Sequence, residues 1–262
     1  MLRGSIDVNI SEFKKWVFKE FNINLIAYKE VQLDRRILSL MNKCNIKDLE
    51  EYSKLLKNDK KQRQIFLDFI TINVTEFFRN PELFDELKNE ISKGIKNSSG
   101  TYKIWSAACS IGCEPYSLAM IVKEINTKKR INILATDLDT TILSKAKVGE
   151  YTNIEMKNMD STMTNKYFKV EDGKYYINQN IKDMVTFKKH DLILDDYEKG
   201  FDCILCRNVV IYFKQEVKEE IYNKFAKSLK QGGIFFVGAT ESIYNYKNYG
   251  FEKVSTFIYR KI

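Results

Sequence analysis

Arg79, Glu114 and Asp137 stand in three separated segments that each run into a polar turn: NVTEFFR (73–79), IWSAACSIGCEPYS (104–117) and ILATDLD (133–139). A fourth segment of the same texture, ILCRNVVIYF (204–213), follows later. The loop after the first strand, residues 109–114, has one glycine, Gly112, so it lacks the G-x-G-x-x-G pattern that wraps a pyrophosphate. Glu114 also puts a carboxylate at the mouth of a helix, where it repels phosphate and suits a cationic group such as an ammonium. Asp137 ends the second strand, the place where an acid commonly accepts hydrogen bonds from ribose hydroxyls. Asp139 can cap the helix that follows, which leaves Asp137 available. An adenosine carrying an amino acid in place of phosphates meets both requirements, as S-adenosylmethionine does. Arg79 is then placed to hold a second substrate beside the cofactor.

The elements that must position these residues fall into two textures. Residues 1–72 read as all-helical. Ile10, Phe13, Val17 and Phe21 recur at helical spacing behind Ser11, a candidate cap. Leu33, Ile37, Leu40, Met41 and Cys44 form a second stripe, Leu49, Tyr52, Leu55 and Leu56 a third, and Ile65, Phe66, Phe69 and Ile70 a fourth. Arg35, Arg36 and Lys43 lie opposite the second stripe. Pattern alone favours the solvated side of an amphipathic helix there, with contact to an acidic partner as the alternative. Residues 73–100 form a connecting segment. Pro81 opens a helix carrying Leu83, Phe84, Leu87 and Ile91, which frays into GIKNSSG (94–100).

From residue 101 to 262 strands and helices alternate. Strands are expected at 103–108, 131–136, 185–189, 201–206 and 234–239, and helices at 115–125 and 140–148. A further helix shows Val217, Ile221, Phe225 and Leu229 on one face, closed by Gly232 and Gly233. The final TFIYRK reads as an edge strand. This alternation predicts an α/β fold with a doubly wound, mostly parallel sheet, whose ligands bind beyond the carboxyl ends of its strands.

Composition narrows the class. A chain of 262 residues, 44% hydrophobic and 13% aromatic, can bury one good core plus a small helical domain. No apolar run is long enough to span a membrane, and the N-terminal stretch does not read as a secretion signal. The net charge of +8 favours an acidic partner, nucleic acid or protein, although ordinary lysine-rich solubility accounts for most of it. Five cysteines without regular spacing read as cytosolic thiols. Cys109, Cys113, Cys203 and Cys206 can be drawn as a four-thiolate zinc site, yet Cys203 and Cys206 lie three apart on one strand and point to opposite faces. No metal is expected. His190 ends a strand and reads as structural.

NVTEFFRNPELF, WSAACSIGCEPYSLAM, ILATDLD, CRNVVIYF and GGIFFVGATESI resemble the motifs of the chemoreceptor glutamate methyltransferases, the CheR family, in the same order and spacing from about Ile10 to the C-terminus. The resemblance implies a Rossmann-like S-adenosylmethionine-dependent methyltransferase domain, a small helical N-terminal domain that contacts receptors, and a short antiparallel β insert at about 167–184. By matching position, Asn73, Thr75 and Arg79 contact the cofactor and line the cleft. Glu114 holds the methionine amino group, Asp137 the ribose, Asp191 and Leu192 the adenine, and Asn208 and Val209 complete the set. Tyr212 faces the substrate. One departure is Asp191, where the family usually has asparagine; a carboxylate can accept from the adenine amine but cannot donate to its ring nitrogens.

The implied reaction moves a methyl group from S-adenosylmethionine to glutamate side chains of chemotaxis receptors in the cytoplasm, leaving S-adenosylhomocysteine. A carboxylate is already deprotonated, so no general base is needed, and opposite charges vanish in the transition state, which a dry site favours. Arg79 is expected to orient the incoming carboxylate rather than neutralise it, with Tyr212 beside it. Phe77 and Phe78 read equally as core or site aromatics. In the β insert, YFKVEDGKYYI has only Gly173, which is similar to the shorter loop of members that do not depend on a receptor pentapeptide tether. Direct docking of Arg35, Arg36 and Lys43 on the acidic flank of a receptor helical bundle would then carry recognition. Two rivals are a methyltransferase of the same fold acting on RNA or another protein, and a non-catalytic receptor-binding module. The loop CRNVVIY lacks the prolines of an N-P-P-Y-like amide-binding loop, so no nucleic acid partner is expected. A monomer is the expected state.

Overall fold

A computed structural model describes residues 2–71 and 74–262. Its contacts divide the chain into two units, Met1–Asn73 with Tyr212–Glu219, and Val74–Ile211 with Glu220–Ile262.

The first unit is built from α1 (Leu2–Phe21), α2 (Glu30–Lys43), α3 (Leu49–Asn58) and α4 (Lys60–Thr71). The Asp48 side chain accepts from the Glu51 N–H at 3.1 Å to start α3, and Asp59 Oδ1 accepts from the Lys61 and Gln62 N–H groups at 2.8 and 3.1 Å to start α4. Such caps contribute roughly 1 kcal/mol each. Phe13, Val17, Leu33, Ile37, Leu40, Met41, Tyr52, Leu56, Phe66 and Ile70 are buried, and the rings of Phe13, Tyr52 and Phe66 pack within 6.2 Å of one another. The fourth stripe is narrower than its pattern predicts. Ile65 is 41% exposed, because Phe66 and Ile70, four apart, already fill the inward face.

The segment Tyr212–Glu219 closes this unit from far along the chain. Lys29 N–H donates to the Tyr212 carbonyl and Lys214 N–H to that of Ala27, both at 2.9 Å, around an antiparallel bridge between Tyr28 and Phe213.

The second unit opens with α5 (Pro81–Asn97) and continues β1 (Tyr102–Ala107), α6 (Cys113–Ile125), β2 (Ile131–Asp137), α7 (Thr140–Val148) and β3 (Glu150–Tyr151). Short helices α8 (Asn153–Met156) and α9 (Ser161–Tyr167) lead to β4 (Phe168–Glu171) and β5 (Lys174–Ile177). After α10 (Gln179–Lys182) come β6 (Val185–Lys189), β7 (Phe201–Cys206), α11 (Gln215–Ser228), β8 (Leu229–Val237), β9 (Phe251–Lys253) and β10 (Ile258–Lys261). The large sheet has the order β6-β2-β1-β7-β8-β10-β9. Its first five strands are parallel, and β10 and β9 close it antiparallel. Central β1 and β7 are buried along almost their whole length, as parallel strands covered on both faces must be. Strand order reverses between β1 and β7, which opens the crevice where such sheets take ligands.

Three elements differ from expectation. Leu229 continues the apolar spacing of α11, yet the helix ends at Ser228 and Leu229 to Gly233 belong to β8, where Leu229 pairs with Phe201 across a bulge. The final strand β10 is not the edge. It lies between β8 and β9, and β9 takes the edge. The small antiparallel sheet, of order β3-β5-β4, draws its first strand from Glu150–Tyr151, ahead of the range 167–184. All three depend on pairings between residues distant in sequence, which local pattern does not carry.

Candidate active site

The carboxyl ends of β1, β2, β6, β7 and β8 bring most of the singled-out residues of the second unit to one rim. The loop after β1 is backbone-strained. Ala108 and Ser110 have φ of +61° and +51°, and Gly112 reaches +90°. A Cβ on Gly112 would meet the Ala146 methyl and the Tyr116 ring at 3.1 Å, so glycine is needed there for conformation and for space. That curl turns the Ser110 N–H onto Asp137 Oδ2 at 2.9 Å and starts α6 at Cys113 with Glu114 in its first turn.

Glu114 has a side chain only 12% exposed. Its Oε1 accepts from Ser106 Oγ at 2.7 Å and its Oε2 lies 3.4 Å from Arg207 Nη1. Burial pushes its pKa up, opposed by the Arg207 guanidinium, the Ser106 hydroxyl and the charge of Arg79. Asp137, buried at the end of β2, accepts from Ser110 N–H and, through Oδ1, from Asp139 N–H at 3.1 Å. Burial raises its pKa too, against those backbone donors. Asp139 caps α7, accepting from the N–H groups of Thr141 and Ile142. Asp137 is therefore clear of that helix, but each of its oxygens already takes one backbone donor. The Leu138 N–H is a further backbone donor to this carboxylate, and with about four lone-pair sites in all it still has room to accept from a hydroxyl.

Arg207, the residue after β7, was passed over by sequence reasoning. Its side chain is 3% exposed. Nη2 donates to the Arg79 carbonyl at 2.8 Å and to Asn80 Oδ1 at 3.1 Å, and the guanidinium carbon lies 5.2 and 4.9 Å from the ring centroids of Phe84 and Phe236. Glu241 was passed over as well. Buried after β8, it accepts from the N–H groups of Asn208 at 2.7 Å, Gly238 at 2.8 Å and Val209 at 3.2 Å. It thereby pins Asn208, whose φ is +59°, and ties the β7 loop to the β8 loop. Burial raises the Glu241 pKa, and those three donors pull it back. The only sequence signals were a charge beside a fully apolar strand in ILCRN and an acid in the turn of VGATES.

The NVTEFFR loop is fixed through its neighbours. Asn73 lies outside the described residues. The Thr75 side chain hydrogen-bonds the Cys113 thiol. Phe77 is fully buried, edge-on to Tyr151 and Phe168 at 4.7 and 5.1 Å, so it is a core anchor; Phe78 is partly buried beside Phe84 at 5.5 Å. Phe78 takes a φ of +47° and its N–H donates to Ser117 Oγ at 3.0 Å. Arg79, half-buried, donates from Nη1 to the Val74 carbonyl at 3.2 Å.

Beyond β6, Asp191 Oδ1 accepts from the Ile193 and Leu194 N–H groups at 2.7 and 3.2 Å, so one oxygen is spent on the turn. Leu192 is buried and its carbonyl accepts from Tyr197 Oη at 2.8 Å. His190 packs edge-on to Trp105 at 5.3 Å and Tyr197 at 5.1 Å, and burial lowers its pKa. Among the described residues no group of three or more His, Cys, Asp or Glu side chains could hold a metal ion. All five cysteines are free thiols, and burial raises the pKa of Cys109, Cys113, Cys203 and Cys206.

Three singled-out residues sit elsewhere in the first unit with Tyr212. Arg35 and Lys43 are exposed, whereas Arg36 is committed to the helices: its Nη1 donates to the Phe69 carbonyl at 2.7 Å. Its guanidinium also faces the Phe69 and Tyr212 rings at 5.4 and 5.9 Å.

Residues 73–259 match the CheR methyltransferase SAM binding domain, and residues 9–71 match the CheR methyltransferase all-alpha domain. The chain belongs to the CheR methyltransferase family. Relatives agree over nearly full length. A chemotaxis protein methyltransferase of Listeria monocytogenes is 40% identical over 95% of this chain and 95% of its own. One from Borreliella burgdorferi is 34% identical over 95% and 93%, and one from Escherichia coli 30% identical over 90% and 85%. As a CheR methyltransferase the chain uses S-adenosylmethionine, and its rim fits that molecule. A sheltered carboxylate suits an ammonium, an acid with free lone pairs suits a ribose, and buried Leu192 offers an apolar contact to a base. Among the described residues no helix is long and apolar enough to cross a membrane.

Proposed function

We propose that this CheR methyltransferase is a cytoplasmic, monomeric protein-glutamate O-methyltransferase acting on the helical signalling bundle of chemotaxis receptors. The observation that carries the site reading is the pair of acids across the β1–β2 rim, buried Asp137 and sheltered Glu114, with the charge of Arg79 acting on Glu114. Glu114 would hold the methionine ammonium, Asp137 the ribose, Asp191 and Leu192 the adenine, and Asn208 and Val209 the remaining contacts, with Asn73 and Thr75 beside them. When bound, S-adenosylmethionine supplies a sulfonium methyl that passes in line to a carboxylate oxygen as the carbon–sulfur bond breaks onto sulfur, giving a methyl ester and S-adenosylhomocysteine.

The chain's own part is positioning. Arg79 steers the substrate carboxylate by a charge-assisted fork, and Tyr212 is a further substrate contact. No residue needs to take a proton, because the nucleophile is already ionised. Buried surroundings favour the annihilation of opposite charges over their separation. Recognition falls on exposed Arg35 and Lys43, with Arg36 holding the helix that presents them. The turn joining β4 to β5 is two residues, Asp172 and Gly173, both at positive φ. A hairpin that tight supports docking without a pentapeptide tether.

The test incubates the protein with methyl-labelled cofactor and either a receptor signalling domain or tRNA. Base-labile label on the receptor fragment alone is the expected result. Arg79→Ala should abolish that transfer while retaining most S-adenosylhomocysteine affinity. Label on tRNA, or near-wild-type transfer by the variant, defeats the reading.

A further inference from the structure

We propose that Arg207 is a positioning residue that holds the Glu114 carboxylate and the Arg79 backbone in one arrangement, so that the cofactor's amino-acid end and the substrate-steering arginine are set by a single guanidinium. The inference rests on the assignment of Glu114 to the cofactor ammonium.

Arg207 is built as a bracket through both of its terminal nitrogens, its buried Nε having no hydrogen-bond partner among the described residues. Nη1 reaches Glu114 Oε2, and Nη2 reaches both the Arg79 carbonyl and Asn80 Oδ1. The guanidinium carbon lies over the rings of Phe84 and Phe236. A buried cation needs such multiple partners to offset its desolvation. The planar fork of arginine spans the Glu114 and Arg79 sides at once, whereas a lysine ammonium offers one point of charge. Asn80 has a φ of +63°, so the turn that Arg207 grips is one the backbone would not hold unaided.

The second consequence is electrostatic. A carboxylate that binds an ammonium must be ionised, yet burial works against ionisation of Glu114. The charged or titratable groups facing it are Arg207 after β7, Arg79 from the NVTEFFR loop, and the thiols of Cys109 in the loop after β1 and of Cys203 and Cys206 on β7, with the Ser106 hydroxyl donating. The thiols are neutral at ordinary pH, so the two arginines are the cations that keep Glu114 charged. Arg207 is the nearer and the more deeply enclosed.

The test compares binding of S-adenosylhomocysteine with that of 5′-methylthioadenosine, which lacks the amino-acid end, by calorimetry across pH. Wild type, Arg207→Met, Arg207→Lys and Glu114→Gln are measured. Arg207→Met should bind S-adenosylhomocysteine about tenfold or more weakly while holding 5′-methylthioadenosine within about twofold. The pH below which its S-adenosylhomocysteine affinity falls should rise by about one to three pH units. Arg207→Lys should restore most of that pH midpoint but not the methyl-transfer rate, because it cannot hold the Arg79 carbonyl as well; if the methionine variant fails to fold, the uncharged Arg207→Gln takes its place in the same comparison. Equal loss for both ligands, or an unmoved pH midpoint, in the uncharged Arg207 variant overturns the proposal. If Glu114→Gln discriminates between the ligands and the Arg207 variants do not, the Arg207 inference alone falls. If Glu114→Gln does not discriminate, the ammonium assignment falls and takes the inference with it.

Discussion

Replacing Glu241 by glutamine tests how the rim is held together. Oε2 accepts from the N–H groups of Asn208 and Gly238, while Oε1 accepts only from Val209. A glutamine keeps its carbonyl oxygen on the two-donor side and turns its NH2 group against the Val209 N–H. One backbone donor is then left unsatisfied, costing about 1–3 kcal/mol. Alanine strands all three donors, for about 3–5 kcal/mol, the lost charge-assisted bonds being partly offset by no longer burying a carboxylate. Urea unfolding should show these two losses in order, alanine above glutamine. Because the Val209 N–H loses its acceptor beside the proposed cofactor contacts, S-adenosylhomocysteine affinity should fall about tenfold in the glutamine variant, which is about 1.4 kcal/mol. A glutamine variant within about 0.5 kcal/mol of wild type, with unchanged affinity, would refute the staple.

Phe77→Ala should cost about 3–5 kcal/mol in the same unfolding assay, because a fully buried ring packed on Tyr151 and Phe168 leaves a cavity; a loss under about 1 kcal/mol would return Phe77 to the site aromatics. Asp137→Ala should weaken S-adenosylhomocysteine binding, and an unchanged calorimetric affinity would count against the ribose assignment. Glu114, Asp137 and Glu241 all have pKa values raised above their ordinary 4.5, 3.8 and 4.5. The folded state therefore keeps protons that the unfolded chain has released, so these three acids favour folding at low pH and lose that contribution as pH rises through the raised values. Cofactor affinity runs the other way, rising with pH as Glu114 ionises. Calorimetry from pH 4 to 8 should show that rise, and a flat profile would exclude Glu114 from the binding step.

Much of the architecture is legible in local pattern because the relevant physics is local. Asp139 before a helical stripe caps α7, and Pro81 opens α5 where its missing N–H costs nothing. The end of α11 was not legible, since Leu229 satisfies both the helical spacing and the strand that follows. Nor was the place of β10, because strand order depends on pairing partners far apart in the chain. In the site, Glu114 and Asp137 announced themselves by standing where strands end. Arg207 and Glu241 did not. Their importance comes from being buried and from what their forks reach, and burial of a charged residue cannot be read from its type.

The return of Tyr212–Glu219 to the helical unit limits how this chain can be dissected. A gene fragment starting at residue 74 would strip Phe213, now 3% exposed, of Tyr28, whose ring lies 4.9 Å away, and leave the Lys214 N–H without the Ala27 carbonyl. Swapping the helical head between relatives is therefore not a cassette exchange. A chimaera needs its junction residues 212–219 taken from the same parent as its head, or the seam will be sticky and ill-fitting however well each half folds.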